Sequence, residues 1–511
     1  MGGRVMLPLL LCLSAAGPPL LVQGGDPYLF FTWNVTYSSI SPLGTPQQGI
    51  LINNQFPRPN INSTTNNNIV INVFNYLDEP FLLTWNGIQH RKNSWQDGVL
   101  GTNCPIPPKT NYTYRFQVKD QIGSYMYYPV TAMHKVAGGF GGLRINSRLL
   151  IPVPYDDPSD DYTILAGDWF SKGHIALNKI LDSDDGKDEP LFSMELGKTY
   201  KYRICNVGIK TALNIQFQGH NMRLVEMEGS HTMQSMYDSL DVHVGQCYSV
   251  LVMANREPMD YYVVASTRFT RQMVTATPII RYPNEKGVAS PKLPPPPTSW
   301  AWSLNQFRTF RWNLTASAAR LNPQGSYHYG SINITRTIKL INAAVSYVEP
   351  STPLKLAEYY NVADKGFKYD NIVDDPPAEI SKITLDPIII FENHENAIQS
   401  WHLSGYSFFA VAIETGTWSP EKRKNYNILD AVSRHTIQVF PQSWAAILLT
   451  FDNCGMWNIR SEIWDRHYLG QQLYVSVLSS ARSLKDEYNM PDDSPLCGIV
   501  ESMPKPQPSN V

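Results

Sequence analysis

The sequence is poor in several features, and each scarcity excludes a class of protein. Charged residues make up only 17% of the 511 residues and the net charge is −2, so the composition implies neither a nucleic-acid partner nor electrostatic binding to a membrane surface. No Cys-x-x-Cys occurs, which leaves a zinc ribbon or a thioredoxin-type site without support. Gly-x-Ser-x-Gly, P-loop and His-Glu-x-x-His motifs are absent too, so the sequence offers no signature of these hydrolases, nucleotide-binding proteins or zinc proteases.

The N-terminus has the features of a secretory signal. Arg4 precedes an apolar run from Met6 to Ala16, and small residues follow at 22–24. The run is short, contains Pro8 and is followed by Pro18 and Pro19, which argues against a membrane anchor. The tail at 504–508 is polar and shows no hydrophobic GPI signal. We therefore predict a signal peptide at 1–24 and a secreted, extracellular protein with no transmembrane segment.

Asn-x-Ser/Thr sequons agree with secretion, because such sites are glycosylated on the surfaces of secreted proteins. The five predicted glycosylation sites are Asn34, Asn62, Asn111, Asn313 and Asn333.

Period-two alternation is the main secondary-structure signal. Apolar and polar residues alternate at 114–119, 200–204 and 213–218, which is typical of strands in a half-buried sheet. Frequent Pro and Gly, 38 and 32 residues, interrupt these runs, and long amphipathic helical patterns are scarce. The pattern predicts an all-β protein of sandwiches or barrels.

An internal repeat divides the chain. A strand ending in Asn, a turn and a second strand ending in Gly recur at Asn75–Gly87, Asn206–Gly219 and Asn393–Gly405. A second match links Asp120-x-x-Gly123-x-Tyr125 with Asp452-x-x-Gly455-x-Trp457. We predict three related domains at 25–153, 154–290 and 300–511, with a Pro-rich, extended linker at 291–299.

These motifs resemble those of a known family. Segments 84–87, 95–98, 123–128, 401–403 and 455–457 are similar to plant multicopper oxidases of the laccase and ascorbate-oxidase type. Segments 128–135 and 458–462 are similar to one branch, the Skewed-type and pollen-specific ascorbate-oxidase-like (monocopper oxidase-like) proteins. The resemblance covers nearly the whole mature chain and implies three consecutive cupredoxin-like Greek-key β-sandwich domains.

The resemblance also implies where copper ligands would stand. Active relatives bind a trinuclear cluster through eight His in four His-x-His pairs, and here these positions hold Thr84 and Asn86, Tyr128 and Val130, His402 and Ser404, and Arg460 and Glu462. The mononuclear site needs two His, a Cys and usually a Met, where this chain has Gln399, Arg466, Ser461 and Gln471. Only His402 survives, so we expect no copper, the family cofactor, and no other cofactor. His402 could still be a residual ligand or, as we favour, a hydrogen-bonded residue between domains.

Removal of Cys12 with the signal leaves an odd number of cysteines. Cys104 and Cys497 match a disulfide of the oxidase family that ties the first domain to the C-terminal tail, and Cys205 with Cys247 is the natural second pair, although spacing does not prove connectivity. Cys454 is then predicted to be a buried free thiol. It is no displaced copper ligand, because Ile459 and Trp464 stand where further ligands would be needed.

The functional expectation follows from the resemblance. We expect a non-catalytic secreted glycoprotein that acts in growth of the plant cell wall and apoplast, as in root-cell or pollen-tube expansion, with wall polysaccharide or an apoplastic protein as partner. Two alternatives stand beside it: a copper-binding, ascorbate-oxidase-like oxidoreductase with reduced copper content that uses oxygen as acceptor, and a structural adhesion protein of the wall.

Overall fold

The computed structural model describes the chain in segments that cover parts of each predicted domain. These are residues 25–41, 46–56, 59–131, 133–148, 151–169, 190–283, 290–318, 336–342, 387–468, 471–478, 483–498, 501–502 and 504. The predicted signal at 1–24 and the sequon at Asn333 lie outside the described residues. Within these segments, no helix is both long and apolar enough to cross a membrane.

Strands β1–β8 form the first sandwich, whose sheets have the orders β2-β1-β4-β6 and β3-β8-β7-β5. Trp33, Trp85 and Tyr127 from the two inner faces meet in its core. The strands are β1 (Tyr28–Ile40), β2 (Gln47–Ile52), β3 (Ile61–Thr64), β4 (Asn68–Asn75), β5 (Leu83–Asn86), β6 (Asn111–Gln117), β7 (Gly123–Pro129) and β8 (Gly141–Asn146).

Strands β9–β20 form the second sandwich, with sheet orders β14-β13-β17-β11-β9 and β10-β20-β18-β12-β16. In addition, β15 pairs with β13 and β19 pairs with β18. The strands are β9 (Asp161–Ala166), β10 (Pro190–Ser193), β11 (Thr199–Asn206), β12 (Ala212–Phe217), β13 (Met222–Met227), β14 (Ser230–His231), β15 (Met236–Tyr237), β16 (Leu240–Val242), β17 (Cys247–Met253), β18 (Tyr261–Arg268), β19 (Thr275–Ala276) and β20 (Ile279–Arg281).

Strands β21–β29 form the third sandwich, with sheet orders β21-β22-β27-β24-β25 and β26-β23-β28-β29. The strands are β21 (Arg336–Asn342), β22 (Pro387–Asn393), β23 (Gln399–Leu403), β24 (Phe408–Thr415), β25 (Ser433–Arg434), β26 (Thr436–Val439), β27 (Ser443–Leu448), β28 (Gly455–Ser461) and β29 (Gln472–Val477). The described helices are short: α1 (Trp300–Phe307), α2 (Leu314–Ala318), α3 (Trp464–Tyr468) and 3-10 turns at Ser94–Gln96 and Pro420–Asn425. The all-β, three-sandwich class predicted from the sequence is confirmed.

The alternating segments are strands, but their polar faces are not all exposed. β6 behaves as predicted, with Tyr114 and Phe116 buried and Arg115 exposed. On β11, in contrast, Lys201 and Arg203 are buried along with the apolar face. The half-buried interpretation was wrong for β11, because its second face is covered by other parts of the fold and its charges are paired there.

The polar face of β12 is buried as well. The Gln216 side chain donates to the carbonyl of Pro295 at 3.2 Å, and Gln218 donates to the carbonyls of Ser290 and Lys292. The Pro-rich segment therefore lies along the second sandwich, where its carbonyls satisfy the two buried amides.

The three copies of the repeat share one hydrogen-bond pattern. Each Asn amide donates to a carbonyl four or five residues ahead and to a distant carbonyl, while its side-chain oxygen accepts the N–H two residues on. The copies end at Gly87, Gly219 and Gly405, which have φ of 88°, 71° and 77°. Because this left-handed region favours Gly, a turn of the same geometry ends each copy.

Two disulfides join the cysteine pairs named above. Cys104–Cys497 links residues 393 apart in sequence, and Cys205–Cys247 joins directly opposed residues of β11 and β17. Cys454 is free but half-buried rather than buried, and burial raises the pKa of its thiol to about 11. The sequons Asn34, Asn62 and Asn111 are exposed and Asn313 is partly exposed.

Candidate functional site

Residues from the first and third sandwiches meet in a buried polar cluster at their junction. We call Asn86, Tyr128, Lys135, Arg460 and Glu462 the central cluster. Asn86 lies on β5, Tyr128 on the paired strand β7, and Arg460 near the end of β28 with Glu462 just beyond it. Each is at most 1% exposed. Strand edges that are remote in sequence thus supply one water-excluded group of polar side chains.

The Tyr128 hydroxyl is the hub of the central cluster. It lies 2.8 Å from both carboxylate oxygens of Glu462 and donates to this carboxylate. It accepts from Asn86 Nδ2 at 2.9 Å and from Arg460 Nη2 at 3.0 Å. Asn86 Nδ2 also lies 3.1 Å from Glu462 Oε1. The carboxylate of the third sandwich is therefore held by hydrogen bonds from two strands of the first.

Two cations flank the Glu462 carboxylate. Arg460 Nε lies 3.3 Å from Oε1, as the i, i+2 spacing on one strand face predicts, and Lys135 Nζ lies 3.8 Å from Oε2. Lys135 Nζ also stands 4.0 Å from the centre of the Tyr128 ring and 5.3 Å from that of Trp464. A lysine ammonium at full burial is therefore stabilised by one carboxylate and two aromatic faces.

The electrostatics follow from burial and pairing. Burial opposes ionisation of Glu462, yet Arg460 and Lys135 outweigh it and hold the carboxyl pKa below its usual value. Burial lowers the pKa of Lys135 to about 8, although Glu462 partly offsets the effect. Burial raises the pKa of the Tyr128 phenol, which keeps it a neutral donor.

A glycine of the second sandwich completes the enclosure. A side-chain carbon on Gly245 would lie 2.6 Å from Glu462 Cγ, and Gly245 has a φ of 88°. The Glu462 side chain occupies the space that any larger residue at this position would need. The central cluster consequently lies where all three sandwiches meet.

His402 lies beside a second buried histidine. Its Nδ1 is 3.1 Å from Thr436 Oγ1, and His435 Nδ1 is 3.0 Å from the same oxygen. The two rings are 5.2 Å apart, and burial lowers the pKa of both imidazoles. These hydrogen bonds lie within the third sandwich, so His402 does not bridge domains through them.

The remaining trinuclear positions have partners of their own. The Thr84 hydroxyl donates to Asp97 Oδ1 at 2.7 Å, and the Ser404 hydroxyl accepts from Arg460 Nη1 at 2.9 Å. Val130 packs in an apolar cluster with Trp464. The side chains at these positions thus form hydrogen bonds and apolar contacts.

Three of the four positions aligned with a mononuclear site, Ser461, Arg466 and Gln471, lie in one hydrogen-bonded group of the third sandwich. Arg466, on α3, lies 2.6 Å from Glu395 and pairs with both of its oxygens. Gln471 donates to Asn342, and the Ser461 N–H donates to the Gln471 carbonyl at 3.0 Å. Gln399 is buried on β23. In the described part of the chain, no group of three or more His, Cys, Asp or Glu side chains is arranged to hold a metal ion.

Sequence patterns missed several members of this region. Lys135 follows the second ligand pair closely, but nothing in its neighbourhood indicates that it reaches Glu462. His435 and Thr436 carry no motif; their contact with His402 comes from the antiparallel pairing of β26 with β23. Asp97 had one weak signal: it belongs to the Trp-Gln-Asp-Gly segment at 95–98, which is part of the resemblance.

Known sequences that resemble this chain match it in each of the three sandwiches. Multicopper oxidase family profiles match residues 34–149, 160–285 and 352–483. An "L-ascorbate oxidase homolog" of Brassica napus is 62% identical over 99% of this chain and 99% of its own length. "Monocopper oxidase-like protein SKU5" of Arabidopsis thaliana is 44% identical over 94% of this chain and 91% of its own length.

Solved structures agree on the fold. Fet3p, described as a multicopper oxidase that functions in iron import, superposes with a TM-score of 0.69 at 19% identity and covers 88% of this chain and 90% of its own. A laccase from Botrytis aclada also has a TM-score of 0.69, at 22% identity over 91% of this chain and 90% of its own. At these identities the likeness concerns architecture alone.

Proposed function

This chain belongs to the multicopper oxidase family, and from that premise we propose that it is a secreted, non-catalytic glycoprotein in which an ionic network replaces the copper centres. We further propose that it acts in growth of the plant cell wall, where a wall polysaccharide or an apoplastic protein is its partner.

The observation that carries the non-catalytic proposal is the composition of the central cluster. Guanidinium and ammonium groups have no lone pair to offer a metal when protonated, and both repel a cupric ion. Arg460 stays protonated, because Tyr128 and Glu462 outweigh its burial and raise the pKa of its guanidinium. The hydroxyl of Tyr128 and the Glu462 carboxylate already use their oxygens on each other. These residues do not fit a trinuclear copper cluster.

The mononuclear positions support the same conclusion. A blue-copper centre depends on a Cys thiolate and imidazoles, whereas Ser461, Gln399 and Gln471 offer neutral oxygens and Arg466 is paired with Glu395. Without this electron acceptor, electrons taken from a reductant at the surface have no route to oxygen.

Metal analysis of the secreted protein tests the proposal. We expect well under one copper per chain by mass spectrometry after copper-supplemented expression and dialysis, and no intense blue absorption. Three or four copper ions per chain, or oxygen uptake with ascorbate or a phenol, would contradict it.

One observation favours a second candidate, an oxidoreductase with a single copper. His402 and His435 are buried imidazoles with lowered pKa values and rings 5.2 Å apart, so both are neutral and able to ligate. Electron paramagnetic resonance should then show one cupric ion that disappears in His402→Gln and persists in His220→Gln, a buried histidine of the second sandwich. Spectra that show no bound copper in the wild type or in either variant would exclude this candidate.

The role in growth is tested in plants that lack the chain. Secreted His402→Gln, with its one remaining ligand position altered, should restore root or pollen-tube growth as well as the wild type does. Failure to restore growth at an equal amount of secreted protein would mean that a ligand function is required.

A further inference from the structure

A cavity of about 160 Å³ opens beside the central cluster, on the seam between the first and second sandwiches. Phe56, Lys135 and Phe140 of the first sandwich line it opposite Leu165, Asp168 and Trp169 of the second. We call it the seam pocket. None of the residues that line it stands at a trinuclear or mononuclear copper position.

Three aromatic rings form one wall of the seam pocket. The ring centres of Phe56 and Trp169 are 5.3 Å apart at 70°, those of Phe140 and Trp169 are 6.4 Å apart, and those of Phe56 and Phe140 are 6.5 Å apart. All three side chains are partly exposed. Rings at such angles present edges and faces that suit a further aromatic ring.

Two residues that line the seam pocket each carry a polar atom without a hydrogen-bond partner. Lys135 Nζ and Asp168 Oδ2 are both buried, and neither has a hydrogen-bond partner among the described residues. Asp168 Oδ1 is already used, since it accepts the N–H of Ile209 at 2.7 Å. A buried donor and a buried acceptor left without partners are costly, so a ligand that satisfied both would gain affinity.

Charge and size narrow the ligand class. The charged residues that line the seam pocket are one cation and one carboxylate, Lys135 and Asp168, so a charged ligand would add an uncompensated charge at a buried site. An apolar cavity of about 150 Å³ is known to accept a benzene ring. The seam pocket therefore has room for a single aromatic ring. Its two polar atoms suit a neutral ligand group in which a hydrogen-bond acceptor and a donor are adjacent.

We propose that the seam pocket binds a neutral, single-ring aromatic carboxamide. The carbonyl oxygen of the ligand accepts from Lys135 Nζ, its N–H donates to Asp168 Oδ2, and the ring packs on Phe56, Phe140 and Trp169. This site is independent of the proposed loss of copper, because none of its residues occupies a copper position.

Benzamide is the probe, titrated calorimetrically and by ligand-observed NMR into the secreted full-length protein. We expect one saturable site with a Kd below about 1 mM, a reasonable strength for so few ligand atoms. Benzoate should bind at least about ten-fold more weakly, since it brings a charge and has no N–H for Asp168.

Two variants locate the site. Asp168→Asn keeps the size of the side chain and its Oδ1 acceptor but turns Oδ2 into a donor, and Trp169→Leu removes part of the wall. Each should weaken benzamide binding about ten-fold or more. Asp78→Asn, at an 88% exposed side chain, and Trp300→Leu, at a 37% exposed residue, should bind like the wild type.

Near-ultraviolet circular dichroism shows whether each variant is folded, and Trp169→Leu decides the question if Asp168→Asn is not. The proposal would be overturned if benzamide showed no saturable binding, or if benzoate bound more tightly than benzamide. It would also be overturned if both pocket variants bound benzamide as tightly as the wild type does. Copper content does not enter any of these readouts, so failure here and failure of the non-catalytic proposal are separate results.

Discussion

Two buried carboxylates in this protein, Glu462 and Glu226, have the same kinds of partner but are built differently. Each has a lysine, an arginine and a tyrosine hydroxyl beside it, and pairing with the two cations holds the carboxyl pKa of each below its usual value despite burial. Glu226 lies on β13 of the second sandwich, 2.9 Å from Lys201 Nζ and 2.6 Å from Tyr155 Oη. Glu462 joins residues of separate sandwiches.

The two clusters differ in how fully their charges are satisfied. Lys201 donates to Glu226 and, at 2.7 Å, to Tyr155, and Arg203 pairs at 2.9 Å with a second carboxylate, Asp161. Lys135 in the central cluster lies 3.8 Å from its carboxylate, beyond hydrogen-bond distance. The cations of the Glu226 cluster thus have a second carboxylate, Asp161, beside them, whereas the central cluster depends on one carboxylate at the junction of three sandwiches.

Removal of that carboxylate should produce the largest effect. We expect Glu462→Gln to lower the free energy of unfolding by about 3 to 5 kcal/mol, because it leaves Arg460 and Lys135 buried without a partner carboxylate. Glu226→Gln is the matched control and should cost about 2 kcal/mol, since Asp161 remains beside Arg203. Urea unfolding measures both. Equal losses would mean that the second carboxylate does not distinguish the clusters.

The pH dependence of stability should single out Lys135. Its pKa is about 8 in the folded protein and near 10.5 in the unfolded chain, so between these values the unfolded chain binds more protons and stability rises with pH. Relative to Lys135→Met, the wild type should gain on the order of 3 kcal/mol across this window. Unfolding of the two proteins at several pH values gives the difference, and a constant difference would contradict the buried, depressed lysine.

A single hydrogen bond to each arginine gives a smaller effect. Ser404→Ala removes the acceptor of Arg460 Nη1, and Ser124→Ala removes that of Arg203 Nη1 at 3.1 Å. Each should cost about 1 to 2 kcal/mol, because a buried charged donor loses its partner. Thermal unfolding of the pair sharpens the comparison. A markedly larger loss for Ser124→Ala would place the more fragile network in the second sandwich.

Replacement of the whole charge set should matter least. In the triple variant Lys135→Met, Arg460→Met and Glu462→Leu, the carboxylate and the two cations that flank it are removed together, and we expect stability within about 1 kcal/mol of the wild type. The measurement is again urea unfolding, with Glu462→Gln alongside. A triple variant as unstable as Glu462→Gln would show that the ionic network itself, rather than the isolation of its charges, stabilises the junction.

Much of the fold could be predicted from local patterns. Alternation at 114–119 indicates a strand because side chains on a strand point to opposite faces, and β6 lies there. The Asn-to-Gly repeat indicates one recurring turn, since Asn bonds nearby backbone and Gly accepts positive φ. The same reasoning failed for Lys201 and Arg203, because period two separates the faces of a strand without saying what covers each.

The candidate site was predictable only in part. The residues at the copper positions followed from the resemblance. The i, i+2 spacing of Arg460 and Glu462 is typical of residues on one strand face, where the two side chains pair. The contacts of Lys135 with Glu462 and of His435 with His402 were not predictable from the sequence, because they join segments that only the packing of sheets brings together.

The sequence by itself determined the strands, the turns and the residue types at the copper positions, since these depend on neighbours within a few residues along the chain. Only the tertiary structure decided which charges share a buried carboxylate and that an aromatic pocket opens beside them. The physical reason is that burial removes water from groups hundreds of residues apart, and the strength of a charge pair depends on that removal rather than on sequence distance.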